Sequence, residues 1–470
     1  MNVITSVGGA LLLILGAVPG ITQTTDPNID DCANKNGNDA AAACTAAISS
    51  GKWNDKSLGS LFFNRGRAYD HKKDYVRALA DYNEAIRLNP QSAVAYYNRG
   101  VIYDYEKDYA RAFANYNEAI RLNPRFASAF NNRGLVFQDQ QHDPARAIAD
   151  YNEAVRFNPH EAMSFYNRGR AYAELKDYGR AISDYDEAIR INPQYVDAFN
   201  NRGIASNFLK DYSPAIADLT EAIRLNPKLS MAFYNRGNAY SDIKNDPAAI
   251  VDYDEAIRLN PQFAEAFTNR GAVYHHQNNF RRAIADYSEA IRTNPKYAQA
   301  FNNRGAAYVD LQDYASGIAD YNRAILLNRE YAEAFNNRGI AYDRQRDYAH
   351  AIADYSEAIR LDPQLAEAFC NRGLIYDEQQ QNPGQAISDY NEAIRLNPKH
   401  ARAFFNRGNT YARQHNYARA KADYSEAIRF DARDAMALYN RGLTKRLLGE
   451  TSEGERDIAR ARALDPGIGK

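Results

Sequence analysis

The chain is 470 residues long and sets 58 Lys plus Arg against 59 Asp plus Glu, so it is nearly neutral and lacks the basic stripe of a nucleic-acid binder. Aromatic residues make up 12% of it, with 35 tyrosines alone, a composition that excludes an intrinsically disordered chain.

The first predicted element is an apolar run from Val7 to Val18, centred on Leu11, Leu12, Leu13, Ile14 and Leu15. It is shorter than the roughly 20 residues a membrane-spanning helix needs and suits the core of a secretory signal. Val18-Pro19-Gly20 offers a cleavage site, yet the first basic residue is Lys35, so the positive charge that normally precedes such a core is missing. Residues 1–22 read either as a signal peptide or as an uncleaved anchor that ties the chain to a membrane or envelope. No Cys directly follows the run, so a lipoprotein anchor has no support.

The chain has three cysteines. In an exported protein, a Cys32–Cys44 disulfide is the natural pairing. Closing that short loop contributes about 3 kcal/mol. Two buried thiols are the alternative, and Cys370 is left as a free thiol. Residues 40–48 (AAAACTAAI) align end to end with residues 78–86 (ALADYNEAI), with Cys44 in the place of Tyr82. Residues 23–58 therefore read as a capping half-unit: a lone second helix, pinned by the disulfide and followed by the only tryptophan, Trp53.

From residue 59 to residue 468 one unit recurs. The triplet Asn-Arg-Gly occurs 12 times, from Asn64-Arg65-Gly66 to Asn440-Arg441-Gly442; nine of the eleven intervals are 34 residues and two are 35. A fixed period of this size means a solenoid in which each unit stacks on its neighbours. In unit seven, counting Ala264 as position 1, a first helix is predicted over 265–277, with Phe267, Gly271 and Tyr274 on one face. A second is predicted over 281–294, with Ala283, Tyr287 and Ala290 at the same spacing, and Pro295 stops it. Unit five departs from the pattern, with Ser206, Pro214 and Leu219 at key positions, and is expected to be a softer joint. Units three and ten each carry one extra residue between their helices. The charged second helix of unit twelve suits a terminal cap.

Phe267, Gly271, Tyr274, Ala283, Tyr287, Ala290 and Pro295 carry a resemblance to the tetratricopeptide repeat family, which covers residues 59–468 as twelve units. The resemblance implies an all-α fold, a right-handed superhelical solenoid of antiparallel helix hairpins. It also implies a concave groove, lined by the first helices, that binds peptides, and the nearest relatives it suggests are exported bacterial repeat proteins of the periplasm or cell envelope.

Position 6 is Asn in every unit: Asn64, Asn98, Asn132, Asn167, Asn201, Asn235, Asn269, Asn303, Asn337, Asn371, Asn406 and Asn440. Helical geometry turns it about 160° away from positions 4 and 8, so it is expected to face the groove or solvent. In relatives such as the O-linked GlcNAc transferases, an Asn here bonds the backbone of a bound peptide. A ladder of carboxamides, each contributing about 0.5–1.5 kcal/mol, could do the same. Recent duplication, or a bridge between neighbouring first helices, would leave the same uniform asparagines. Position 5, which varies, is expected to lie beside them on the groove side.

Position 7 is always Arg, and position 23 is Asp in eleven units and Asn115 in the other. A half-buried charge needs a partner, so Arg–Asp pairs are expected to join the two helices. The family's carboxylate clamp is rejected, because position 5 is never Lys and position 2 has one Arg, Arg402, and no Lys. The eight His are scattered, and no HExxH, P-loop or GxSxG occurs. The sequence thus points to a non-enzymatic scaffold for protein or peptide ligands, with no cofactor, metal, nucleic acid or small-molecule substrate. A targeting arm for a separate enzyme or export complex is the alternative.

Overall fold

The structure is a computed structural model that describes Cys32, residues 37–379 and residues 381–469. The apolar run from Val7 to Val18 lies outside the described residues. Among those described are 25 α-helices, one π-helix and no strand. The chain divides into two compact bodies, residues 1–244 and 245–470. The division falls inside unit six, between its helices Ser230–Asp242 and Asp246–Leu259.

Among the described residues one helix, α1 (Gly37–Ser49), precedes the first hairpin, formed by α2 (Asp55–His71) and α3 (Tyr75–Leu88). The same pairing then recurs. In unit seven the helices are Ala264–His276 and Phe280–Thr293, each shifted one residue towards the N-terminus from the periodicity. The cap sets the start: the Asn279 side chain accepts the backbone N–H of Arg282, which fixes Phe280 as the first helical residue. Asp74, Asp108, Asp177 and Asp347 cap their helices in the same way.

Unit five lacks this cap. Three residues after Asp211 stands Pro214, which has no N–H to donate, and no side-chain capping bond forms. Pro214→Arg restores both the N–H and an arginine that can pair with Asp211, as Arg180 pairs with Asp177. It is expected to slow hydrogen exchange in the helix Tyr212–Leu225 by an amount equivalent to about 1 kcal/mol. Unchanged exchange would mean that the missing cap costs the unit nothing.

In eleven hairpins the constant glycine lies against the position-24 side chain. A Cβ on Gly339 would sit 2.7 Å from the ring of Tyr355, which is itself 1% exposed. Only glycine lets the helices approach this closely around a full-sized ring. The alanines at positions 20 and 27, such as Ala351 and Ala358, are completely buried beside it.

The expected Arg–Asp pairs are present and lie within the units. Ten arginines, from Arg65–Asp81 to Arg441–Asp457, engage the aspartate of their own second helix. In unit nine Arg338 Nε meets Asp354 Oδ2 at 2.7 Å and Nη2 meets Oδ1 at 2.6 Å, a bidentate fork. The remaining nitrogen reaches back to position 25 of the preceding unit, as from Arg338 Nη1 to Asn322 at 2.5 Å. Each such arginine therefore joins three helices. Arg65 of unit one finds Thr45 of α1 at 3.3 Å, in the place that Asn83 takes for Arg99. Helix α1 thus takes the place that a second helix holds relative to the unit after it. Cys32 and Cys44 form a disulfide beside it, and Trp53 Nε1 donates to Ala47 O at 2.8 Å.

The extra residue of unit three is absorbed as a π-helix, Val136–Gln140, at the end of the first helix. It buries Gln138, which bonds Glu174 and accepts from Tyr151, and it presents Asp139 to Arg170 at 3.1 Å.

Candidate protein-binding face

The constant asparagines are not open to solvent. Asn132 and Asn167 are fully buried, and Asn64, Asn98, Asn201, Asn235, Asn371 and Asn406 are at most 8% exposed. Asn269, Asn303, Asn337 and Asn440 are half-buried. In the first body Asn132 donates to Tyr97 Oη at 3.1 Å, Asn167 to Asn131 at 3.0 Å, and Asn201 to Tyr166 Oη at 3.1 Å. Asn235 donates to Asn200 at 3.1 Å. In the second body Asn337 donates to Asn302 and Asn371 to Asn336, both at 3.1 Å, and Asn406 to Cys370 Sγ at 3.8 Å.

Against the expectation that position 6 faces groove or solvent, the structure turns Asn132, Asn167, Asn201, Asn235, Asn337, Asn371 and Asn406 to a neighbouring first helix. Turning away from its own hairpin core points the amide at the neighbouring first helix, which a single-unit projection leaves out. At Tyr97, Asn131, Tyr166, Asn200, Asn302, Asn336 and Cys370 the expectation for the variable position 5 is corrected: the side chain accepts the next unit's Asn. Tyr, Asn and Cys all serve there because each offers a lone pair. These asparagines form a seam between successive first helices, the bridging alternative raised by the sequence.

Asn440 differs. Position 5 of unit eleven is Phe405, which has no acceptor. Asn440 instead donates to Asn409 at 3.0 Å, and Asn409 also accepts Tyr424 Oη at 2.8 Å. Around these amides the second body opens into a cavity of about 550 Å³. Met436, Leu443 and Leu447 supply apolar walls, with Met436 50% and Leu447 63% exposed. Arg413 and Thr444 add polar edges. A second cavity of about 500 Å³ shares Arg413 and is lined further by Asp377, Glu378, Pro383 and Thr410. Attention to the constant residues misses Met436, Leu443 and Leu447. Leu447 gives the clearest signal, apolar where most other units carry a charged residue, as unit eleven does with Arg413; Met436 stands where unit eleven has Arg402, whereas the position of Leu443 is apolar in most units.

In the first body the ends of the first helices carry Asp70, Asp104, Asp139, Glu174 and Asp242. Burial pushes the carboxyls of Asp70 and Asp104 up to about 6. Tyr116 Oη donates to Asp104 at 3.3 Å and opposes part of that shift. Because the folded chain holds this proton more tightly than the unfolded chain does, ionised Asp104 destabilises the fold. The penalty is complete above pH of about 6, fades as pH falls and is absent below the ordinary carboxylate value near 4. Asp104→Asn is expected to raise the thermal midpoint at pH 7.5 by a few degrees and to leave it unchanged at about pH 4. An equal effect at both pH values would contradict the assignment.

The tetratricopeptide repeat family matches the chain over residues 93–126, 264–297 and 332–365. Related descriptions of the same repeat match residues 138–196; 66–104, 242–278 and 378–415; 401–434; and 196–229 and 298–331. Together these spans cover more than half of the sequence, and the chain belongs to the tetratricopeptide repeat family. It is an all-α solenoid of helix hairpins and a scaffold for protein–protein interaction.

Among solved structures, YrrB, described as a TPR protein with an unusual peptide-binding site, is 25% identical over 39% of this chain and 95% of its own, with a TM-score of 0.33. A tetratricopeptide repeat protein from Parabacteroides merdae is 19% identical over 53% of this chain and 98% of its own, at 0.45. Yeast Tom70 is 15% identical over 87% of this chain and 96% of its own, at 0.43. No curated protein sequence gives a significant match.

Proposed function

We propose that the chain holds extended protein segments against the face of its first helices, with the cavity of units eleven and twelve as a principal seat. The observation that carries this reading is the union, in about 550 Å³, of exposed apolar walls with two carboxamides whose hydrogen bonding is incomplete. Met436, Leu443 and Leu447 would take an apolar side chain. The Asn409 N–H groups and Asn440 Oδ1 would pair with the peptide backbone, which suits a ligand of many sequences. The asparagine ladder expected from the repeat is thereby narrowed to Asn440 and its partner Asn409, since the seam amides are spent on neighbouring helices. The reading assigns the chain no catalytic role.

An exported location is part of the same proposal. The Cys32–Cys44 disulfide supports it, because such bonds persist in oxidising compartments. Among the described residues no helix is long and apolar enough to cross a membrane.

Selection from a random peptide-display library on the full chain tests the function. Enriched peptides should bind in solution and lose at least tenfold in affinity against Leu447→Asp. No enrichment, or peptides indifferent to that change, would remove the proposal.

A further inference from the structure

The two cavities of units ten to twelve differ in chemistry and share one wall, Arg413. The cavity between units eleven and twelve is apolar, with Leu443 and Leu447 facing it. The cavity between units ten and eleven holds two carboxylates, Asp377 and Glu378, against the single cation Arg413. Asp377 is buried and already engaged, since it takes both the Arg413 guanidinium and the Thr410 hydroxyl. Glu378 is exposed, and among the described residues no ion pair engages it. The cavity therefore keeps one uncompensated negative charge, and Pro383 offers apolar surface beside it.

From this juxtaposition we infer that the segment held here carries a large apolar side chain and, a few residues away, a lysine or arginine. The apolar side chain fills the cavity of Leu443 and Leu447. The basic side chain lays its methylene stem along Pro383 and brings its cation to Glu378, as long basic side chains do when they cover apolar surface with the charge kept in water. The cavities adjoin at Arg413, and side chains two apart on an extended peptide point the same way about 7 Å apart, so a strand running past Arg413 can present one to each. The inference rests on the binding face proposed above and adds the chemical class of its ligand. Its charge preference runs opposite to that of the family's carboxylate clamp, which takes an acidic terminus.

The test is fluorescence anisotropy on the full chain, with labelled nine-residue peptides that carry one leucine and, one to three residues away, Lys, Gln or Glu. Their ends are acetylated and amidated so that terminal charge does not compete. The Leu–Lys series should bind at least tenfold more tightly than the Leu–Glu series at low salt, with the Leu–Gln series between. Glu378→Gln, a change at an exposed site, should erase most of that difference, and Leu443→Asp should weaken all three series together. If the peptides bind and Leu443→Asp weakens them, but Lys, Gln and Glu are equal or Glu378→Gln changes nothing, the charge inference fails while the binding face stands. If no series binds, or Leu443→Asp has no effect, the binding face fails and the inference falls with it.

Discussion

Tyr287→Ala is expected to destabilise unit seven by about 3–5 kcal/mol, the range for removing a fully packed aromatic side chain. Tyr287 is 2% exposed, and its ring lies where a Cβ on Gly271 would come within 2.8 Å. Alanine would leave the glycine facing an empty space that two rigid helices cannot close. Unit five supplies an internal control, because Leu219 already occupies the equivalent place, completely buried against Gly203. Tyr287→Leu should accordingly cost well under half as much. In a solenoid the loss appears first as local opening, so hydrogen exchange of helices Ala264–His276 and Phe280–Thr293 is the measurement. Equal protection in Tyr287→Ala and the parent chain would show that the ring is not what holds the hairpin together.

Asp354→Ala is expected to cost unit nine about 3 kcal/mol, for a different reason. The Arg338 side chain is 18% exposed and loses both arms of its fork. Breaking a buried pair strands the surviving charge, whereas replacing both members with apolar residues of similar size is close to neutral. The double variant Arg338→Met with Asp354→Leu should therefore recover most of the stability lost in Asp354→Ala. A double variant as damaged as the single one would mean that the loss does not come from a stranded Arg338 charge.

These two sites also mark what the sequence makes legible. Gly271 and Tyr287 lie on the seam between two helices of one unit. Spacing within 34 residues suffices to find them, and the Arg338–Asp354 fork follows from the same local geometry. Asn337 does not follow from it. Its partner Asn302 is 35 residues away, and the direction of its amide depends on how the next unit is set against the first. A helical wheel drawn on a single unit has no neighbour in it, so a buried bridging residue reads as an exposed one. The cavity of Met436, Leu443 and Leu447 is hidden for a related reason. Phe405 has no acceptor to offer the next unit's Asn, as Phe63 has none, and a departure from the repeat carries no sign of whether a cavity accompanies it. The place of Thr45 was more accessible, since the alignment of residues 40–48 with residues 78–86 carries it directly onto Asn83.

The central claim is that constant asparagines join the repeats while variable first-helix residues of units eleven and twelve bind the partner. One binding titration separates these roles most directly: a display-selected peptide measured against Asn337→Ala and Leu447→Asp, with the thermal midpoint of each variant recorded alongside. Asn337→Ala should lower stability and leave affinity unchanged, and Leu447→Asp should leave stability unchanged and weaken binding at least tenfold. If Asn337→Ala abolishes binding in a chain that remains folded while Leu447→Asp binds normally, the asparagines are the ligand's ladder and this division of roles is wrong.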